Sequence, residues 1–297
     1  TLDIRSLFEG LQRNTTVKEL WLHGGIDNNI LSEYVANISN LTRIGIKKCD
    51  LRGGVVESLV PGINKSQKLK DIIVFYCNID DASVKKFALG ITGMSSLQRL
   101  EILSDVGAGG SIDGIEGAEA IVNLLQDPNC NINHLGLNDT GLNNESVLKI
   151  VRSLRDNTKL ERLTLSYNRI TIQAAEEIGS LLQDSSCNLI QLDLGSCGMN
   201  NESIQILVNS LMGNTKLKRL SLYGNRIKRS ACESIINLLQ TPSCNLTELD
   251  IGRCGINNES LSKIIDCLII LLIFSSIMNQ IVISLLIFFL FGSFFLD

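Results

Sequence analysis

Aliphatic residues in this chain fall on a frame that recurs nine times. An apolar position is followed three and five residues later by further apolar ones and, in most of the repeats, eight residues later by asparagine or cysteine and ten residues later by another apolar residue. Written L-x-x-L-x-L-x-x-N/C-x-L with other aliphatics allowed, the frame opens at Val17, Leu41, Leu69, Leu97, Ile132, Leu160, Leu189, Leu217 and Leu246. The spacings are 24, 28, 28, 35, 28, 29, 28 and 29 residues. A longer period of 57 lies over them: Asn-Asn-Glu-Ser recurs at 143, 200 and 257, and cysteine at 130, 187 and 244. Repetition at such periods means stacked structural units, each of which can bury its apolar face only against the next.

Within one repeat the spacing predicts the elements. In Leu160-Glu161-Arg162-Leu163-Thr164-Leu165 the aliphatics at 163 and 165 are two apart, so a short strand points both inward while 162 and 164 face out. Asn168 follows, and its amide can satisfy backbone groups in the turn that leaves the strand. Neighbouring repeats place Cys197, Asn225 and Cys254 there. The rest of the repeat, as in Ala174-Ala175-Glu176-Glu177-Ile178-Gly179-Ser180-Leu181-Leu182, has the three-and-four spacing of a helix, with Thr171 as its expected cap.

Alternating 28- and 29-residue repeats with alternating Asn and Cys turns resemble the ribonuclease-inhibitor type of leucine-rich repeat, a family that includes immune-receptor sensing domains and Ran-type GTPase activators. The resemblance covers residues 1–268. It implies an α/β solenoid, a horseshoe with parallel strands on the concave face and helices on the convex face. Two repeats depart from it: the first has 24 residues, and the fourth has 35, the extra ones mostly within Gly107–Asp113. The fourth repeat also carries Asp105 at the Asn/Cys position, which puts the turn ladder in question there.

Composition narrows the chemistry. The 297 residues are 44% hydrophobic with a formal net charge of -4, which gives no basic surplus for a nucleic-acid partner. The nine cysteines map onto repeat positions and read as buried thiols in a reducing compartment; no C-x-x-C pair suggests zinc. The glycine cluster from Gly107 to Gly117 has Ile112 where a dinucleotide fingerprint needs glycine, and no G-K-[ST] follows. His23 and His134 lie in distant repeats, and sequons such as Asn144-Glu145-Ser146 and Asn245-Leu246-Thr247 coincide with repeat positions. No catalytic residue, cofactor or metal site is expected.

The two ends depart from the frame. Residues 6–16 read like the end of a helix such as Ser153–Lys159, so the chain is expected to open inside a repeat and to be truncated at its N-terminus. After Leu268, where the earlier repeat continues Met212-Gly213-Asn214, the sequence turns to Ile269-Ile270-Leu271-Leu272-Ile273 and stays apolar to Leu296. That tail, 269–297, is either an apolar transmembrane helix anchoring a cytoplasmic repeat domain or a gene-model artefact; its length favours a span, while Asn279-Gln280 and the absence of a basic flank oppose it.

The expected function is a non-catalytic protein-protein interaction module or scaffold, the sensing part of a larger protein; the alternative is a GTPase-activator-like regulatory protein. The protein partner is expected on the concave face, with no nucleic acid, and oligomeric state is left open. Counting from the first residue of the frame, positions 2, 3, 5, 7 and 8 should face the partner. They hold Trp21, Phe75, Tyr76, Arg99, Arg162, Tyr167, Asp193, Arg219 and Tyr223 as candidate contacts. In-register stacking would line the arginines of position 3 into a discontinuous basic stripe beside the acidic residues of position 5.

Overall fold

Position 8 of the repeat sets the course of the chain. In the computed structural model, which describes residues 16–24, 40–104 and 115–274, every non-glycine residue with positive φ stands there: Lys48, Tyr76, Asp139, Tyr167, Ser196 and Arg253, with φ between 50° and 61°. A left-handed residue lets the backbone leave the strand abruptly while position 9 turns back into the core. At position 9 the side chain then meets the carbonyls of the strand it has just left. Asn168 Nδ2 donates to Leu165 O at 3.0 Å, and Asn225 Nδ2 to Leu222 O at 2.8 Å. The Cys197 thiol donates to Gly195 O at 3.5 Å and to Leu165 O of the preceding repeat at 3.2 Å. Thr140 fills the same position in the fifth repeat, fully buried, with its hydroxyl on Leu137 O at 3.2 Å. Asp105 and the Gly107–Asp113 insertion lie outside the described residues, as do the N-terminal stretch before Thr16 and residues 275–297.

The chain divides into two compact units, Thr1–Ser153 and Leu154–Asp297. In the first, strands β1 (Glu19–His23), β2 (Arg43–Lys47), β3 (Asp71–Cys77), β4 (Arg99–Ser104) and β5 (His134–Asn138) pair in parallel and in chain order. Helices α1 (Val55–Lys65), α2 (Asp81–Ile91), α3 (Ile115–Gln126) and α4 (Asn144–Ser153) follow β2, β3, β4 and β5. The second unit repeats the scheme with β6 (Arg162–Thr164), β7 (Gln191–Asp193), β8 (Arg219–Ser221) and β9 (Glu248–Asp250), and with α5 (Ile172–Gln183), α6 (Asn201–Ser210), α7 (Arg229–Gln240) and α8 (Asn258–Phe274). Parallel neighbours need a crossover, and from β2 onward, among the described residues, one helix per repeat supplies it.

Alternation along the strands places the core. Ile44, Ile46, Ile72, Val74, Leu100 and Ile102 are buried on one sheet face against Val56, Leu59 and Ile63 of α1 and Val84, Phe87 and Ile91 of α2. In the second unit Leu163, Leu165, Leu192, Leu194, Leu220 and Leu222 do the same against Ile178, Leu182, Leu207 and Leu238. Burying a leucine side chain contributes about 2 kcal/mol, so each repeat is held chiefly by its neighbours.

Helix starts are built into the repeat. The recurrent Asn-Asn-Glu-Ser is a cap: Asn143, Asn200 and Asn257 Oδ1 accept the N–H of Ser146, Ser203 and Ser260 at 2.9, 2.9 and 2.8 Å. Thr171 caps α5 through Ala174 N as expected, and Asp80 caps α2 through Ser83 N. Helix α8 runs past the expected domain boundary: Leu268 is buried, Ile269 and Ile270 are exposed, and the helix continues to Phe274. Among the described residues no helix is long and apolar enough to cross a membrane.

Candidate functional site

The sheet face away from the helices carries positions 3, 5 and 7, and register decides which of their side chains meet. At position 5 of the first unit the order is Trp21, Gly45, Ile73, Glu101 and Gly136. Trp21 therefore stands beside a residue without a side chain, and its indole lies down over Gly45: a Cβ built there would run into ring atoms Cε3, Cζ3 and Cδ2. The ring reaches across β2 to stack on Phe75 of β3, with centroids 6.3 Å apart and planes 18° from parallel. Tyr76 adjoins Phe75 at 6.4 Å, tilted by 40°. Trp21 is 49% and Tyr76 50% exposed, so three aromatic rings form one platform open to solvent.

In the second unit Tyr167 is 56% exposed and held in the left-handed region at φ 61°, its N–H donating to Gly195 O at 2.8 Å. Tyr223 lies over Gly252, where an added Cβ would come within 3.1 Å of the ring, and carries the Arg253 guanidinium 5.8 Å from its centroid. Ring contacts thus bring Trp21, Phe75 and Tyr76 together; Tyr223 is engaged instead by an arginine.

The expected charge stripes are not what register produces. Position 3 of the first unit reads Glu19, Arg43, Asp71, Arg99 and His134, an alternation of signs. Arg43 sits between two acids, 2.9 Å from Glu19 and 2.7 Å from Asp71, and this pairing raises its pKa further, with Asp71 the main cause. Arg99 reaches along its own strand to Glu101 at position 5, and Arg219 pairs with Glu248 of the next strand at 3.0 Å. Arg162, at position 3 of β6, is exposed.

A second feature gathers Asp193 and Arg219, both expected on this face, with further acidic residues. Strands β7, β8 and β9 form an open depression of about 410 Å³ lined by Gln191, Asp193, Arg219, Ser221, Glu248 and Asp250. Asp193 and Asp250 each accept a bond from the N–H two residues on, Gly195 and Gly252, at 2.9 Å, which turns them along the sheet. Burial pushes the Asp250 carboxyl up, and the neighbouring Asp193 charge adds to the shift. Three carboxylates against one guanidinium make this depression acidic.

The cysteines are where the repeat puts them. Eight are buried and Cys49 alone is partly exposed. Burial pushes the Cys197 thiol up to about 12 and that of Cys254 up to about 11, as befits core groups. Asn245, the acceptor of one sequon, is engaged in structure, donating to Thr215 O at 2.6 Å.

Comparison with known proteins agrees with this architecture. The family model described as the PRAME C-terminal domain matches residues 46–263. The chain is 24% identical over 263 residues to the NACHT, LRR and PYD domains-containing protein 5 of Bos taurus, a match covering 87% of this chain and 22% of that protein. Over 216 residues it is 24% identical to the ribonuclease inhibitor of Sus scrofa, covering 72% of this chain and 46% of the inhibitor. The resemblance to ribonuclease-inhibitor-type repeats is thereby borne out, although the chain spans only about a fifth of the length of the first relative. A solved protein of Bacteroides fragilis shares the fold with a TM-score of 0.56 at 14% identity, covering 84% of this chain and 71% of that one.

Proposed function

Since this chain belongs to the PRAME C-terminal domain family and is built of leucine-rich repeats, we propose that it is a non-catalytic protein-interaction module that takes a protein partner on the sheet face away from its helices. This is the face that the repeat family makes concave. The observation that carries the reading is the solvent-open platform of Trp21, Phe75 and Tyr76 laid across Gly45. Large aromatic rings held rigid and half in water are the side chains that most often anchor protein interfaces, because they bury much area at little entropic cost. Arg99 is the polar contact proposed beside the platform in the first unit; in the second unit, taken by itself, Tyr167, Tyr223, Arg162, Asp193 and Arg219 are the proposed contacts. Cytoplasmic residence belongs to the same reading, since unpaired thiols suit a reducing compartment.

The test is affinity capture with the whole chain, native and as Trp21→Ala/Tyr76→Ala, followed by quantitative mass spectrometry. Loss of two anchors should reduce recovery of a direct partner at least tenfold, roughly 1.4 kcal/mol or more. Equal recovery by both proteins removes this face from consideration.

A further inference from the structure

Cys49 and Cys77 occupy position 9 of consecutive repeats, where the turns after β2 and β3 run side by side. Cys49 N–H points to Cys77 Sγ at 3.4 Å, so the Cys77 sulfur lies against the Cys49 backbone. The backbones on either side are tied together: Asn78 N donates to Cys49 O at 3.0 Å, Leu51 N to Asn78 O at 2.8 Å, and Asp50 pairs with Asn78 as a parallel bridge. Neighbouring parallel chains run about 4.8 Å apart, inside the Cα separations that a disulfide spans. Elsewhere position 9 separates its cysteines, as Asn225 separates Cys197 from Cys254.

We propose that Cys49 is a thiol-modification site of this protein, with Cys77 as the resolving thiol that converts a mixed disulfide at Cys49 into a Cys49–Cys77 disulfide. Access singles out Cys49, because the other eight cysteines are buried. It borders an open surface depression lined by Lys48, Asp50, Tyr76, Asn78, Ser104 and Asp139. Reactivity follows the same contact: the Cys77 side chain holds the Cys49 thiol well below the ordinary thiol range, while Cys49 and burial push Cys77 up. Thiolate at the exposed member and thiol at the buried one is the order a two-step exchange needs.

With glutathione disulfide as oxidant, the Cys49 thiolate attacks one sulfur, forms a mixed disulfide and expels one glutathione thiolate, which takes up a proton. Cys77 then loses its proton to solvent and attacks Cys49 Sγ, expelling the second glutathione thiolate. Two protein thiols are oxidised by two electrons, and one glutathione disulfide becomes two glutathione thiols. The new bond joins the turns that carry Lys48 and Tyr76, beside the aromatic platform.

The experiment incubates the native, folded whole chain with glutathione disulfide, quenches exchange with acid, unfolds the chain in urea containing excess N-ethylmaleimide to block every remaining thiol, and maps the peptides by mass spectrometry. The expected result is a cross-linked peptide joining Cys49 to Cys77, a fall from nine blockable thiols to seven, and recovery of all nine after dithiothreitol. Cys77→Ser should stop at glutathione on Cys49, and Cys49→Ser should keep its eight thiols over the same period. A native chain that retains nine thiols, holds glutathione on Cys49 without resolving it, or loses thiols evenly across the cysteines overturns the assignment. The native arm needs no variant to fold.

Discussion

The indole of Trp21 occupies the space that a side chain at residue 45 would fill, so Gly45 and Trp21 act as one surface feature contributed by two repeats. Because Trp21 is the only tryptophan, its emission reports this arrangement directly. Gly45→Ala should lift the ring from β2, break its stack on Phe75 and shift the emission, with the far-ultraviolet circular dichroism unchanged. Phe75→Ala should move the emission in a smaller way. An emission spectrum indifferent to both substitutions would mean that the ring does not rest there.

Asn225 links two repeats through one amide. Its Nδ2 donates to Leu194 O and Leu222 O, both at 2.8 Å, and its Oδ1 accepts Cys197 N at 3.1 Å and Met199 N at 3.0 Å, in a side chain only 2% exposed. Asn225→Ala would leave two buried N–H groups without their acceptor, at about 1–3 kcal/mol each. A loss of roughly 3 kcal/mol in urea unfolding is expected, against a small effect from an exposed substitution such as Arg229→Ala.

Asp250 gives a pH signature of known sign. Burial and the Asp193 charge raise its folded pKa above the unfolded one, so its ionised form costs stability. The penalty begins as pH rises through the unfolded carboxylate pKa, and is complete above the folded value. Asp250→Asn keeps an acceptor for Gly252 N–H, and should therefore raise the melting temperature at pH 7. The gain should close as the pH is lowered through the carboxylate range; a gain independent of pH would point to another cause.

Tyr167 permits a binding test with little structural cost. Its φ of 61° is strained for a residue with a side chain, by about 1–2 kcal/mol, so glycine relieves strain while adding chain entropy to the unfolded state, and the two effects oppose each other. The double variant Tyr167→Gly/Tyr223→Ala should leave the unfolding midpoint nearly unchanged and weaken the partner complex by roughly 2 kcal/mol or more. Titration against the captured partner, with Arg229→Ala on the helix side as control, decides between this face and another.

Burying a charge in the frame itself should be far more damaging. Leu165 is fully buried at position 6, and Leu165→Asp places a carboxylate among leucines without a counter-ion. A loss on the order of 4 kcal/mol is expected. A melting temperature equal to that of the native chain would show that the inward side of the strand is misassigned.

What the sequence determined by itself is local and periodic. Two leucines two residues apart can only face one way from a strand, so Leu163 and Leu165 announced the core. Asparagine and cysteine at a fixed interval announced the turn, and Thr171 the helix start. Even so, the Asn-Asn-Glu-Ser repeat was visible without its role, because a cap is recognised by which N–H the side chain reaches. Thr140 went unnoticed in the turn ladder because it fits neither letter of the consensus, though a buried hydroxyl meets the same carbonyl.

The site was decided by tertiary structure. Each sheet contact joins residues 24 to 35 apart in the chain, and whether Arg43 joins a basic stripe or sits between two acids depends on the neighbours that register supplies. The aromatic platform exists because a glycine stands beside Trp21 and lets its ring cross a strand to Phe75. The acidic depression exists because β7, β8 and β9 stack the short Asp193, Ser221 and Asp250 at position 5 beside the longer Gln191, Arg219 and Glu248 at position 3. Periodicity fixes which face a residue occupies, since that follows from its own backbone; what it touches there follows from the shape and charge of residues one repeat away, which only the stacked structure brings within reach.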